Sequence, residues 1–367
     1  MGSSLSGWRW VAFAAIVTMV MPATVLATQS TALDTVAIVV PASRTNGGWD
    51  QQGADNLTAV AQERGLTPQV AENAGYEDIT PILQDLADGG ADLIICHASG
   101  YQTVCPEFAA QSGVPVAVIE NPGAVEPGLI SDIETQAQEA AYLAGVVAGL
   151  ETRSGTVGVV VSGEPPTWNF MTVGFAEGLK ATRPEARLVY SVIGENAYDD
   201  AANAKRVTDS VLAAGADIVF GMGDGASFGM IQSIREFNGG RQPEQQAKFI
   251  DVIGDKRGTD AREILLTSVL FDYTGIYNQM LDDFGAGSFG QVYTMTLENN
   301  GVRLLDLPTG AGTATPANAT PAATPASPVQ QAVAEARSRI ISGEITVPAV
   351  GDANGVRQSL AQLFPGE

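Results

Sequence analysis

Val36-Ala-Ile-Val-Val40 returns 121 residues later as Val157-Gly-Val-Val-Val161, and that echo decides the fold. Two further pairs follow in the same order. Asn73-Ala-Gly-Tyr76-Glu-Asp78 returns as Asn196-Ala-Tyr198-Asp-Asp200, and Gly90-Ala-Asp92-Leu-Ile-Ile95 as Gly215-Ala-Asp217-Ile-Val-Phe220. The offsets run from 121 to 125 residues, far too long a period for a solenoid. Short β-branched runs separated by amphipathic stretches read as alternating strands and helices. A duplicated strand–helix–strand–helix–strand unit makes two Rossmann-like α/β lobes with parallel sheets. Ligands of open α/β sheets sit beyond the carboxyl ends of the strands, so the expected site is the cleft between the lobes.

Working outward, the first lobe is expected to hold strands at 36–41, 67–72, 93–96 and 116–119. Its helices are expected at 50–64, 78–88 and 134–151, with Asp78 as an N-cap and Gly89-Gly90 as a stop. The last of these carries a small-residue face, Ala141, Ala144, Gly145 and Ala148, suited to close packing. The second lobe has strands at 157–161, 187–192, 217–221, 249–253 and 265–270, and helices at 173–183, 201–214 and 227–237. A helical pattern at 273–284 should return to the first lobe, with short strands at 292–297 and 302–306. The lobes are therefore expected over 34–152 plus part of 272–300, and over 153–268 plus part of 300–308. Residues 309–328 are a Thr/Ala/Pro tract expected to be disordered. A helix from Gln330 to Ile341 opens the closing segment, 329–367.

The first 27 residues read as a secretory signal: Arg9, an apolar run from Trp10 to Met21, and the small-residue site Val25-Leu26-Ala27. The run is too short to cross a bilayer, and no cysteine near the site offers a lipoprotein anchor. The expected location is periplasmic or extracellular. The formal charge of -22 excludes nucleic-acid binding. Cys96 and Cys105 are close enough in sequence to bridge in an oxidising compartment, but spacing alone leaves the disulfide open. His97, the sole histidine, has no neighbouring ligands for a metal site.

Catalysis finds little support. The one histidine lies in the first lobe, no pair of acids stands out as a glycosidase dyad, and no cofactor is expected. Gly221-Met-Gly223-Asp-Gly225-Ala226 matches a loose dinucleotide pattern without its distal acid. It reads better as a tight turn that aims Asp224 into the cleft. Aromatics are more telling. Trp49, Tyr101, Trp168, Phe170, Phe271 and Tyr273 each follow the carboxyl end of an expected strand. Core packing is the ordinary fate of any one of them, but several at equivalent places point to a flat ring held between aromatic faces. Asp50, Asp224, Asp255 and Asp272 would accept hydrogen bonds from its N–H or O–H groups, and Asn46 joins the set.

Several ordered stretches resemble the basic membrane protein (BMP) family of ABC-transporter solute-binding proteins, relatives of the purine nucleoside receptor. They are Gly48-Trp49-Asp50-Gln51, Tyr142-Leu-Ala-Gly145, Gly155-Thr-Val-Gly158, Gly174-Phe175-Ala-Glu-Gly178, Gly254-Asp255, Leu266-Thr-Ser268-Val-Leu-Phe271-Asp272-Tyr273 and Ile341-Ser-Gly343-Glu-Ile-Thr-Val347. The resemblance implies a type I periplasmic-binding-protein fold, ligand capture by lobe closure, and a monomer that serves a membrane ABC permease. It also implies that Trp49 stacks on the ligand ring, that Asp50 stands where the family has a ligand-bonding Asn, and that Asp255 binds ribose hydroxyls or the base. Phe271 stands where nucleoside-binding members have a Lys, so a purine base is as good an expectation as a purine nucleoside. A sugar or other polar solute is the alternative ligand class, and an extracellular nucleoside hydrolase the alternative activity.

Overall fold

β1 (Thr35–Val39) is hydrogen-bonded along both of its edges, and every residue after Thr35 in it is buried. The structure, a computed structural model, describes residues 1–2, 33–307 and 326–366. The expected signal and nearly all of the Thr/Ala/Pro tract lie outside the described residues. After β1 come α1 (Trp49–Glu63), β2 (Thr67–Ala71), α2 (Thr80–Asp88), β3 (Leu93–Cys96), α3 (Val104–Ser112), β4 (Val116–Ile119), β5 (Ile130–Thr135) and α4 (Ala137–Glu151). The second half runs β6 (Thr156–Val161), α5 (Pro166–Thr182), β7 (Arg187–Val192), α6 (Ala201–Ala213), β8 (Ile218–Met222), α7 (Ala226–Asn238), β9 (Lys248–Ile253) and β10 (Leu265–Phe271). The chain then crosses back through α8 (Thr274–Ala286) and β11 (Val292–Met295) before β12 (Val302–Leu304), α9 (Pro328–Ile341) and α10 (Ala353–Leu363).

Two six-stranded sheets result, ordered β11-β5-β4-β3-β1-β2 and β12-β10-β9-β8-β6-β7. The first is wholly parallel, and in the second only β12 runs antiparallel. This is the type I periplasmic-binding-protein fold. The echoed strands hold matching places: Val36 pairs with Pro68 and Leu93, and Val157 with Leu188 and Ile218. Helices cover both faces of a parallel sheet, which is why its strands are apolar throughout. Each buried Val or Ile contributes about 1.5–3 kcal/mol.

The third echo has a physical cause as well. Gly90 and Gly215 both adopt positive φ, 86° and 98°, which glycine accepts without a Cβ clash. Asp92 then accepts from the N–H groups of Asp34 and Thr35, and Asp217 from those of Arg153 and Ser154. In each half this aspartate ties the approach to the third strand to the start of the first.

Four elements differ from the sequence expectation. Glu134 and Thr135 end β5 instead of starting a helix; buried Ser131 and Asp132 disguise that strand's apolar character. α5 begins at Pro166, a residue suited to a first helical turn, so Trp168 and Phe170 are helical and not in a loop. α2 starts at Thr80 with Ile79 at the N-cap, while Asp78 accepts from the Thr80 N–H at 3.0 Å. α9 starts at Pro328, two residues before Gln330, because Ser327 and Gln330 form a capping box.

α4 and α5 join the halves by packing almost backbone to backbone. A Cβ on Gly145 would overlap the Phe175 carbonyl, one on Gly174 the Gln138 carbonyl, and one on Gly178 the Tyr142 carbonyl.

Candidate functional site

The carboxyl ends of both sheets face a cavity of about 760 Å³, within the range of small-molecule sites. One wall comes from the first half: Pro41, Trp49 and Asp50 after β1, Tyr76 after β2, and Ala98 to Gly100 with Gln102 after β3. The other comes from the second half: Glu164 to Trp168 after β6, Val192, Gly194 to Asn196 and Tyr198 at and beyond the end of β7, and Asp224 after β8. A recess of about 390 Å³ shares Asp50, Tyr76, Tyr198 and Asp224 and adds Asp199 and Asp200.

Trp49 opens α1 and is held at three points. Its indole N–H donates to the His97 carbonyl at 3.0 Å, its ring stacks on the His97 imidazole with centroids 4.9 Å apart, and its main-chain N–H crosses the cleft to Asp224 Oδ1 at 2.8 Å. Gly48 permits that crossing, since a Cβ there would overlap Asp224. The loop is also seated against Gly254 of the second half. His97 Nε2 donates back to the Trp49 carbonyl at 3.1 Å. Burial holds the imidazole near a pKa of about 4, against the counter-effect of that bond, so it is neutral at pH 7. From the far wall Trp168 meets Trp49 edge-on, 6.3 Å between centroids, its own N–H bound to Ser162 Oγ at 3.0 Å.

The second echo converges here. Asn73 and Asn196 both take left-handed backbone, φ 58° and 52°, a conformation asparagine tolerates better than most residues. Each turn delivers a tyrosine, and Tyr76 faces Tyr198 across the cleft at 6.2 Å. Neither tyrosine was among the residues expected from sequence. The repeat that contains them is the signal that would have found them.

Carboxylates dominate the polar lining. Asp50, only 2% exposed, accepts from the Ala42 N–H and the Asn46 amide. Burial raises its pKa above the ordinary carboxylate value, and those two bonds oppose the rise. Asp224 is pushed up to about 8, first by burial and then by repulsion from Asp50, with the Trp49 N–H opposing. Nearby, Glu120 bridges the halves, accepting from Ser99 Oγ at 2.7 Å and from the Thr167 hydroxyl. Burial raises it to about 7.

The structure thus brings Trp49, Asp50, Trp168 and Asp224 to the cavity. The other expected residues lie outside its lining. Asn46 is buried behind it and positions Asp50 and Gly48. Tyr101 is buried, with its hydroxyl on the Gly75 carbonyl at 2.6 Å, and packs beneath Tyr76. Phe271 is core, edge-on to Trp49, and Asp272 accepts from the Thr274 N–H at the start of α8. Asp255 is locked to Arg257 by its carboxylate. Cys96 and Cys105 form a disulfide with Cα atoms 6.6 Å apart, closing a loop over Ala98 to Gln102. Among the described residues no group of three or more His, Cys, Asp or Glu side chains is placed to hold a metal ion.

The sequence model of one family, ABC transporter substrate-binding protein PnrA-like (Bmp), matches residues 33–350. The chain belongs to that family. Among curated proteins, this Bmp-family chain is 25% identical over 222 residues to the ABC transporter nucleoside-binding protein BmpA of Lactococcus lactis subsp. cremoris, a match covering 57% of this chain and 58% of that protein. It is 23% identical over 205 residues to the transcriptional activator protein med of Bacillus subtilis, covering 56% and 63%. The chain thus spans about three fifths of the length of these two relatives. Solved structures agree on the fold. An ABC-transporter solute-binding protein from Aeropyrum pernix K1 superposes with a TM-score of 0.74 at 17% identity, covering 90% of this chain and 97% of that one. Another from Conexibacter woesei gives 0.66 at 20%, covering 87% and 100%. Among the described residues no helix is long and apolar enough to cross a membrane.

Proposed function

We propose that this Bmp-family chain captures a purine nucleoside or purine base between its lobes and presents the closed complex to a membrane ABC permease. The observation that carries the reading is the pairing of aromatic side chains from opposite walls with Asp50 and Asp224 at the cavity edge. Trp49 and Tyr76 meet Trp168 and Tyr198 around a space of about 760 Å³, a setting for a flat ring with polar edges. Capture follows from the lobe-bridging bonds. Trp49 to Asp224 and Glu120 to Thr167 exist only while the lobes are together, so a ligand filling the space between them favours closure. The nucleoside-binding relative from Lactococcus supports the ligand class, and the family supports the role of binding rather than catalysis. In this reading the chain acts outside the inner membrane, where the disulfide is stable.

The test is mass spectrometry of whatever small molecule is released when the purified protein is denatured, followed by calorimetric titration of adenosine, adenine and ribose. A saturable heat with adenosine or adenine is the expected result. Binding of ribose alone moves the chain to the sugar-binding class, and release of free base from inosine on incubation overturns the binding-protein reading.

A further inference from the structure

The cavity wall offers an anion no cationic side chain. Neither the main cavity nor its recess is lined by any Lys, Arg or His, whereas Asp50, Glu164, Glu195, Asp199, Asp200 and Asp224 all line one or both. Moreover, the Trp, Ser, Thr and Gln donors on the wall point back into the protein, which leaves the Tyr76 hydroxyl and the Asn196 amide as its neutral side-chain donors. The Trp49 indole N–H is bound to the His97 carbonyl and that of Trp168 to Ser162. The Ser99 and Thr167 hydroxyls are bound to Glu120, and the Gln102 amide to the Ile119 and Glu120 carbonyls. Acceptors, by contrast, are left over. Asp224 is only 6% exposed and lines both spaces, yet only its Oδ1 has a hydrogen-bond partner among the described residues. Its other oxygen faces the cavity and can accept from a ligand, and the neighbouring carboxylate, Asp50, makes a donor or cation there more favourable. Aromatic faces beside carboxylates attract cations through the ring quadrupole and through charge, and a cation seated against Asp224 would favour the ionised form that burial and Asp50 otherwise disfavour.

Resting on the purine reading but going beyond it, we propose that this cleft selects its ligand by charge and donor count. It takes a planar ring bearing a positive charge or amino N–H donors and excludes phosphorylated or otherwise anionic relatives of the same ring. Asp224 is the principal selector, meeting the donor edge of the ring while its other oxygen holds the closing loop at Trp49. Glu195 contributes negative potential at the rim.

Two ligand pairs test this independently of each other. Benzamidinium and benzoate are flat rings of nearly the same shape and opposite charge, so they probe the selection whether or not purines bind. Tryptophan fluorescence should respond saturably to benzamidinium at millimolar concentration, with a response to benzoate at least about tenfold weaker. A benzamidinium response no larger than that of benzoate overturns the proposal. In the purine series, adenosine should bind about tenfold more tightly than inosine, whose carbonyl replaces the amine, and adenosine 5′-monophosphate at least about a hundredfold more weakly than adenosine. Inosine or the monophosphate matching adenosine also overturns it. If no purine binds while benzamidinium still does, the purine reading fails and the charge selection stands. Asp224→Asn should shrink the benzamidinium-to-benzoate ratio about fivefold or more, and Asp255→Asn, outside the cleft, should leave it unchanged. Glu195→Gln, at an exposed position, gives a smaller loss in the same direction and serves if the Asp224 variant does not fold. An unchanged ratio in both cleft variants removes the residues from the role.

Discussion

The two lobes place a tryptophan after the first strand of each sheet, but they hold it in opposite ways. In the first lobe a Gly47-Gly48 loop lifts Trp49 onto His97 and sends its main-chain N–H across the cleft. In the second lobe Pro165 and Pro166 lead straight into α5, and Trp168 is sunk in the wall at 4% exposure with its N–H tied to its own lobe. One tryptophan is half-buried and reaches the partner lobe through its main-chain N–H; the other is part of the core. Equivalent positions in a duplicated fold have thus been divided between grip and support, and the flanking glycines and prolines are what divide them.

The largest effect expected from this contrast falls on stability. Trp168→Ala should cost about 3–5 kcal/mol of unfolding free energy, the usual range for a buried aromatic, in a denaturant melt of the ligand-free protein. Trp49→Ala should instead lower ligand affinity by about 1–3 kcal/mol, the range for ring stacking, with a smaller loss of stability. Equal effects of the two substitutions on stability would break the distinction.

Gly48→Ala sharpens it. The new methyl group collides with Asp224 only when the lobes are together, so it should cost about 1–3 kcal/mol in affinity, the range for overpacking. Calorimetry should show that loss while the unfolding midpoint of the free protein stays within about a degree or two.

The smallest effect is a pH dependence. Asp224 and Glu120 are raised to about 8 and about 7 in the folded chain, so folding takes up protons between the ordinary carboxylate range and those values. Stability should therefore rise as pH falls from 8 towards 7, by about 1 kcal/mol at most per proton taken up. Asp224→Asn should flatten the upper part of that curve. His97 acts in the reverse sense at lower pH: lowered to about 4 when folded, it withdraws stability as pH falls from about 6.5 towards 4. An Asp224→Asn melt with an unaltered slope would show that the carboxylate is not buried as described.

The strands were legible because a parallel sheet covered on both faces demands continuous β-branched runs, and Val36–Val40 and Val157–Val161 are such runs. β5 was not, because buried Ser131 and Asp132 interrupt its apolar character with groups whose partners lie far along the chain, such as the N–H of Gly290. Trp49, Asp50, Trp168 and Asp224 could be placed because they closely follow strand ends, where topology alone dictates the site. Tyr76 and Tyr198 follow strand ends as well, but what turns them into the cleft is the left-handed asparagine that precedes each, a backbone feature that strand position alone does not reveal. Asp255 and Asp272 look equally suited in sequence. What removes them from the cavity lining is a partner within two residues, Arg257 for one and the Thr274 N–H for the other.

The glycine-lined contact between α4 and α5 has a mechanical consequence. With carbonyls where side chains would normally stand, the two helices leave no slack for sliding, so a movement of one lobe against the other would have to pivot on this contact. Displacement grows with distance along a lever, so a tilt of a few degrees there becomes several ångströms at the mouth where Tyr76 meets Tyr198. A single added methyl at Gly145, Gly174 or Gly178 would act as a wedge under that pivot. It would set a different resting angle for both arms without touching any residue that lines the cavity.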